Sequence, residues 1–293
     1  QITQEYTGQS KHLVYLAPMW KEFFSFVSAD RLKGMSGVSN VGNTDNWCGH
    51  PFSQANWYAY GRLAWNPQLH SRDIAREWLL MTFEESSNRY FFDSMTSVME
   101  RSREMCVSYM MPLGLHHIFK FDNHYGPEPG GFRADYPIEW CPVYYHKADT
   151  LGIGFDRTVN GSGAVNQYRE PFRSQYNSLE TCPEQYLLWF HHVPWNYKMK
   201  NGKTLWVNLC NNYERGVKMV ETTLMSWKLM HSLFVENNDD ERWMQIESLL
   251  LEQLGNATEW KDTCLLYFQQ FSRMPIGQAS VESAEDIAKH QLK

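Results

Sequence analysis

The last third of the chain contains two long segments with helical character, residues 205–235 and 239–271. A helix of about 30 residues owes most of its stability to burial of an apolar stripe against neighbouring elements. Shorter helical candidates precede these segments at residues 71–83 and 91–110. The chain is therefore predicted to be mainly α-helical from about residue 71 onward.

The boundaries of the shorter helices follow from local chemistry. Ser71 is a suitable N-cap, and Ile74, Trp78 and Met81 follow it at helical spacing. Pro112, with Gly114 after it, is expected to end the helix of residues 91–110, because proline cannot continue a helix.

The first seventy residues have a different pattern. Residues 1–6 alternate as in a β-strand, and residues 35–42 indicate a buried strand that leads into a polar loop. An aromatic helix is predicted from Phe52 to Trp65. This order is typical of the end of a β/α fold, and two strands cannot close a parallel sheet. We therefore expect the first seventy residues to be the tail end of a β/α fold, and the chain to become mainly helical after Leu69.

Residues 115–173 show no regular periodicity. They are rich in glycine, proline, histidine, tyrosine and aspartate, a composition typical of long ordered loops that carry function. Candidate functional residues are therefore expected here as well as in the first seventy residues.

Composition excludes several classes of function. The net charge is −6 and basic residues form no block, which argues against nucleic-acid binding. No apolar stretch approaches the roughly 20 residues needed for a membrane span. Aromatic residues are abundant, with 12 Trp, 16 Tyr and 16 Phe. Tryptophans at these positions can form a core or can serve as flat platforms for sugar rings.

Metal and cofactor chemistry is not predicted. The six cysteines are widely spaced and include no C-x-x-C pair, so a zinc site is not expected, while one or two disulfides remain an alternative. The adjacent pair His116–His117 lacks the i, i+4 spacing of helical metal ligands. Phosphate-binding glycine loops and the G-x-S-x-G elbow are absent from the sequence.

Three residues of the N-terminal region are candidates for a catalytic face. Glu5 ends a strand-like segment, and catalytic groups of β/α barrels project from the carboxyl ends of strands. Trp47 and His50 lie in the loop that follows the second predicted strand. The alternatives are an edge-strand salt bridge for Glu5 and a packed loop for the other two.

Several blocks of sequence together resemble glycoside hydrolase family 67, the α-glucuronidases of xylan breakdown. The resemblance extends from Gln1 to about Pro275, and its blocks are QITQEYTGQ (1–9), KHLVYLAPMWK (11–21), GVSNVG (37–42), NWCGH (46–50), QANW (54–57), GRLAWNP (61–67), PLG (112–114), HYGP (124–127), GIGFDRT (152–158) and HHVPW (191–195).

The resemblance implies a three-part protein, with an N-terminal α/β domain, a central (β/α)₈ barrel and a mainly helical C-terminal domain. It implies that residues 1–70 are the last strands and helix of that barrel and that residues 71–293 form the helical domain. It implies cleavage of the α-1,2 bond between 4-O-methyl-glucuronic acid and the terminal xylose of a xylo-oligosaccharide, with inversion. Glu5 then corresponds to a carboxylate that activates the attacking water. The general acid and the partner carboxylate are expected upstream of Gln1, so we expect this chain to be a C-terminal fragment that is inactive alone.

The resemblance also assigns roles in the helical domain. It implies that Trp140 forms an aromatic wall of the pocket, against the alternative of a core tryptophan. It further implies a homodimer formed through the helical domain. The connection between residues 22 and 37 is shorter than in the family, which puts substrate-loop contacts there in doubt.

A second hypothesis is not enzymatic. The chain could act as a carbohydrate-binding or dimerisation module that uses Trp47, Trp140 and the helices. Glucuronoxylan-derived oligosaccharides are the predicted ligands under both hypotheses.

Overall fold

A computed structural model describes residues 48, 51–66, 68–122, 126–235 and 241–277. The described residues are mainly helical, which confirms the predicted fold class. The predicted strands of residues 1–6 and 35–42 lie outside the described residues. The helices are α1 (Pro51–Trp65), α2 (Ser71–Thr82), α3 (Arg89–Met110), α4 (Pro142–His146), α5 (Phe172–Asn177), α6 (Leu187–Phe190), α7 (Leu205–Phe234) and α8 (Glu241–Ser272).

The predicted helix boundaries agree closely with the structure, with one correction at a cap. Helix α2 begins at Ser71, but its N-cap is His70, which has extended backbone angles of φ −88° and ψ 142°. The His70 carbonyl accepts the first helical hydrogen bond, from Ile74 N at 3.1 Å. Ser71 is therefore the first helical residue, and the prediction that it is the N-cap was wrong by one position.

Contacts between Cα atoms divide the described residues into two compact units. The first contains residues 48–104 and 226–247, and the second contains residues 105–225 and 248–277. No described helix is both long enough and apolar enough to cross a membrane.

In the first unit, α1 packs against α2 and a polar network joins the two helices. Arg62 makes a bidentate ion pair with Glu77, at 2.7 and 3.0 Å, and the Tyr58 hydroxyl donates to the same carboxylate at 3.0 Å. The Arg62 guanidinium lowers the pKa of Glu77. Such bidentate pairs fix the relative orientation of the two side chains.

An aromatic core fills the rest of this unit. The rings of Trp227 and Trp243 stack with centroids 4.2 Å apart, and Trp227 Nε1 donates to the Trp243 carbonyl at 3.1 Å. Phe83 and Phe91 contact this pair, with centroids 6.2 Å from Trp227 and 5.7 Å from Trp243 respectively. The buried Trp227 N–H thus has a carbonyl acceptor, which avoids the cost of an unpaired buried donor.

The second unit contains the irregular middle of the chain together with most of α7 and α8. Two short strands, β1 (Gly152–Ile153) and β2 (Val193–Pro194), pair in antiparallel register and anchor the irregular middle of the chain. Gly152 is needed there, since a Cβ at this position would lie 2.2 Å from the Val193 carbonyl oxygen. The strand β1 leads directly to Phe155 and Arg157, which places these two side chains beside α6.

Candidate functional site

The structure describes one of the four residues predicted for the site. Glu5, Trp47 and His50 lie outside the described residues, and their roles stay predictions. Trp140 is described, and it belongs to the second unit.

Trp140 ends a short 3₁₀ turn, Ile138–Trp140, that follows Pro137. Its backbone N–H donates to the Pro137 carbonyl at 2.9 Å, which closes the turn. The residue is 62% exposed, so the alternative of a core tryptophan does not hold for it. An exposed indole on a closed turn offers a flat apolar face of the kind that stacks on a pyranose.

A row of side chains adjoins Trp140. The ring of Tyr136 meets the indole edge to face, with centroids 5.9 Å apart and planes at 71°. The Arg133 guanidinium lies 4.4 Å from the ring centroid of Phe121 and 5.4 Å from that of Tyr136. Arg133 Nη2 donates to Asp122 Oδ2 at 2.8 Å. We call Phe121, Asp122, Arg133 and Tyr136 the Arg133 stack.

A second group of side chains, the Arg157 cluster, comprises His116, His117, Tyr145, Arg157 and Trp189. The ring of His117 lies 4.4 Å from Tyr145 and stacks on His116 at 6.2 Å. Arg157 is buried, with its guanidinium 3.8 Å from the ring centroid of Trp189 and Nη1 donating to the Trp189 carbonyl at 2.6 Å. The buried Arg157 guanidinium therefore lies against the Trp189 ring, and the His117 and Tyr145 rings pack against each other.

Burial sets the electrostatics of this cluster. It lowers the pKa of His116 to about 4, and the positive charges of His117 and Arg157 act in the same direction. The imidazole is therefore neutral at neutral pH. Burial also raises the pKa of Tyr145, against a smaller opposing effect of the Arg157 charge.

The backbone of the Arg157 cluster is locally strained. Leu113 has φ 57° and His117 has φ 60°, both in the left-handed region that non-glycine residues rarely adopt. Gly114, at φ 90°, has no room for a Cβ, which would lie 2.8 Å from the Tyr186 carbonyl carbon. Residues in such conformations concentrate at functional sites.

The sequence does not predict the Arg157 cluster, and the pair His116–His117 is notable there only as a poor candidate for metal binding. The unusual turn Pro112-Leu-Gly and the doublet of histidines were visible signals, but their partners Tyr145, Arg157 and Trp189 are distant in sequence. Among the described residues, no group of three or more His, Cys, Asp or Glu side chains is arranged to hold a metal ion. All six cysteines are free thiols, so the alternative of a disulfide was wrong.

Comparison with known proteins gives a consistent relationship. Residues 48–281 match the C-terminus of glycosyl hydrolase family 67, and residues 1–47 match the middle domain of that family. Similar proteins include "Alpha-glucuronidase A" of Emericella nidulans, 36% identical over 295 residues that cover 94% of this chain. "Alpha-glucuronidase" of Hypocrea jecorina is 31% identical over 295 residues, again with 94% of this chain covered. The chain spans 34% of the length of each of these two curated relatives.

Proposed function

This chain belongs to glycosyl hydrolase family 67, and we propose that it is the C-terminal portion of an α-glucuronidase. The reaction proposed for the whole protein is hydrolysis of the α-1,2 bond that joins 4-O-methyl-glucuronic acid to the terminal xylose of a xylo-oligosaccharide. The single observation that supports a role for this chain in binding the oligosaccharide is the exposure of Trp140. This large aromatic side chain is 62% exposed on a closed turn.

We assign the water-activating role to Glu5. In an inverting glycosidase one carboxyl group protonates the leaving oxygen and a second carboxylate deprotonates water on the opposite face. The two groups stand roughly 6.5–9.5 Å apart, which leaves room for that water. Glu5 is the proposed base, and the acid and a partner carboxylate are expected from upstream residues of the whole protein.

The proposed substrate contacts are Trp140, Trp47 and His50. Stacking on the Trp140 indole covers the apolar face of a pyranose and excludes water from one side of the bound sugar. The Arg157 cluster adds a neutral imidazole at His116 and a phenol at Tyr145, both suited to sugar hydroxyls. We also propose a boundary near residue 70 between the barrel and the helical domain. A homodimer formed through the helical domain is a further proposal.

A non-catalytic role is the second candidate. The exposed indole of Trp140 lies in the part of the chain that matches the C-terminus of the family, away from Glu5 in sequence. A carbohydrate-binding module needs only such a platform. Under this proposal the chain binds xylo-oligosaccharides and hydrolyses none.

The test is hydrolysis of a short aldouronic acid followed by ¹H NMR. Release of the β-anomer of 4-O-methyl-glucuronate, abolished in Glu5→Gln, supports the enzymatic proposal and inversion. Release of the α-anomer as the first product contradicts inversion. The assay uses the whole protein, because this chain alone is expected to be inactive under both proposals. Binding of the aldouronic acid by the whole protein without any release supports the binding-module candidate.

A matched pair of tryptophan variants tests the platform. Trp140→Ala should weaken oligosaccharide binding about tenfold or more, because an aromatic stacking face is lost. Trp65→Ala is the control, since Trp65 is 87% exposed at the end of α1. Equal affinity for both variants would contradict the role given to Trp140.

A further inference from the structure

The Arg133 guanidinium contacts two aromatic rings and a carboxylate, and its side chain is partly exposed. Its carbon lies 4.4 Å from the ring centroid of Phe121 and 5.4 Å from that of Tyr136, and its Nη2 donates to the Asp122 carboxylate at 2.8 Å. The planar guanidinium can stack on rings while its rigid fork of N–H groups bonds a carboxylate, a geometry that the point charge of a lysine ammonium does not reproduce. Asp122 raises the pKa of Arg133, so the side chain stays charged.

The backbone holds the partners of Arg133 in place. Phe119 and Pro127 pair as an isolated antiparallel bridge, and Phe121 N donates to Glu128 Oε2 at 3.0 Å. Asp122 has φ 72°, a left-handed conformation that turns the chain at this point. The Arg133 carbonyl accepts from Cys141 Sγ at 3.8 Å, next to Trp140. This backbone contact does not depend on the arginine side chain.

The stack ends at the exposed indole. Phe121 and Tyr136 meet edge to face at 5.5 Å, and Tyr136 meets Trp140 in the same way at 5.9 Å. Trp140 is 62% exposed. Tyr136 is therefore the aromatic neighbour that restricts the indole, and Arg133 in turn restricts Tyr136.

We propose that Arg133 is a positioning residue for the Trp140 sugar platform: it clamps Tyr136 against Phe121 so that Tyr136 holds the indole in one orientation before sugar binds. The inference rests on the proposed function and deepens it. A side chain ordered in advance loses less conformational freedom on binding, which improves affinity without any new contact. Arg133 is thus expected to affect sugar affinity without touching the sugar.

The experiment uses the whole chain labelled with 5-fluorotryptophan. The ¹⁹F resonance of Trp140 is assigned as the one lost in Trp140→Phe. An aldouronic acid, 4-O-methyl-glucuronosyl xylotriose, is titrated into the wild type and into Arg133→Lys. We expect Arg133→Lys to shift or broaden the free Trp140 resonance and to weaken binding about fivefold, as for loss of one ordered side chain.

Arg173→Lys is the matched control. Arg173 pairs with Glu170 at 2.9 Å with both side chains about half exposed, and both residues belong to the same unit as Arg133. This variant should leave the Trp140 resonance and the affinity unchanged. Asp122→Asn, which keeps the size of the side chain but removes its charge, should act in the same direction as Arg133→Lys. If Arg133→Lys lowers the melting temperature, Asp122→Asn tests the same contact in a second variant.

The outcomes separate this inference from the proposed function. An unchanged Trp140 resonance and unchanged affinity in Arg133→Lys would overturn the positioning role. If the aldouronic acid leaves the wild-type Trp140 resonance unmoved, the platform itself is refuted and the role of Arg133 in sugar binding falls with it. In that case a shifted resonance in unliganded Arg133→Lys would show that the failure lies in the platform and that the clamp is real.

Discussion

At the scale of single residues, tryptophan occupies two opposite environments. Trp206, Trp227, Trp243 and Trp260 are almost fully buried, whereas Trp140 is 62% exposed. The buried indoles support cores, as the residue type predicts. An exposed indole has no such role in the fold, so Trp140 is compared in the binding test with Trp65, which is 87% exposed at the end of α1.

His146 makes the stability of the protein depend on pH. Its Nε2 bonds the Pro129 carbonyl at 2.7 Å and its Nδ1 accepts from Ala148 N at 3.0 Å, an arrangement that suits the neutral ring. Burial lowers the pKa of His146 to about 4. The unfolded chain, with an ordinary histidine pKa near 6.5, binds the proton more readily between these values. Stability is therefore present above about pH 6.5 and lost as the pH falls towards 4.

We expect the free energy of unfolding to fall by about 3 kcal/mol on this account between pH 6.5 and 4. Urea denaturation at several pH values measures this slope. His146→Gln should be less stable at pH 7 and should show a flatter pH dependence. A variant that keeps the full wild-type slope would contradict the assignment to His146.

At the scale of elements, two glycines in long helices have opposite surroundings. A Cβ on Gly216 of α7 would lie 2.7 Å from the backbone nitrogen of Tyr109 in α3. A Cβ on Gly255 of α8 would meet nothing within 4 Å. Gly216 therefore permits a close approach of two helices, while Gly255 only weakens its own helix.

The two alanine variants should change stability with opposite signs. Gly216→Ala is expected to destabilise the protein by about 1–3 kcal/mol, because backbone atoms of α3 must move. Gly255→Ala is expected to stabilise it by about 0.5–1 kcal/mol, through higher helix propensity. Midpoints of guanidinium denaturation compare the two. Changes of the same sign would refute the packing assigned to Gly216.

At the scale of the whole molecule, stability comes from packed cores without covalent cross-links. All six cysteines are free, and Cys141, Cys182, Cys210 and Cys264 are buried. Burial raises the pKa of Cys182, Cys210 and Cys264 to about 12. A thiol with such a pKa is almost never a thiolate at neutral pH, so it reacts slowly with alkylating reagents.

Iodoacetamide labelling of the native protein should therefore modify Cys48 and Cys106, which are partly exposed, and spare the four buried thiols. In guanidinium all six should react. Intact mass spectrometry counts the labels, and peptide mapping locates them. Fewer than six labels under denaturing, non-reducing conditions would indicate a disulfide and would contradict the free thiols.

Local sequence patterns determined the helices and their limits. The run from Phe52 to Trp65, the periodic segment after Ser71 and the stop before Pro112 were all correctly placed to within a few residues. Helix formation depends on neighbours three or four positions apart, so these signals lie within a short window. The cap at His70 was missed because an extended backbone, and no side-chain hydrogen bond, defines it.

Only the tertiary structure decided which polar and aromatic residues meet. Arg157 and Trp189 are 32 positions apart, and the hydrogen bond between them depends on the pairing of β1 with β2 and the placement of α6. The same holds for the environment of Trp140, since sequence alone could not choose between a core and a surface tryptophan. Burial and pKa arise from contacts between distant segments, which no local pattern encodes.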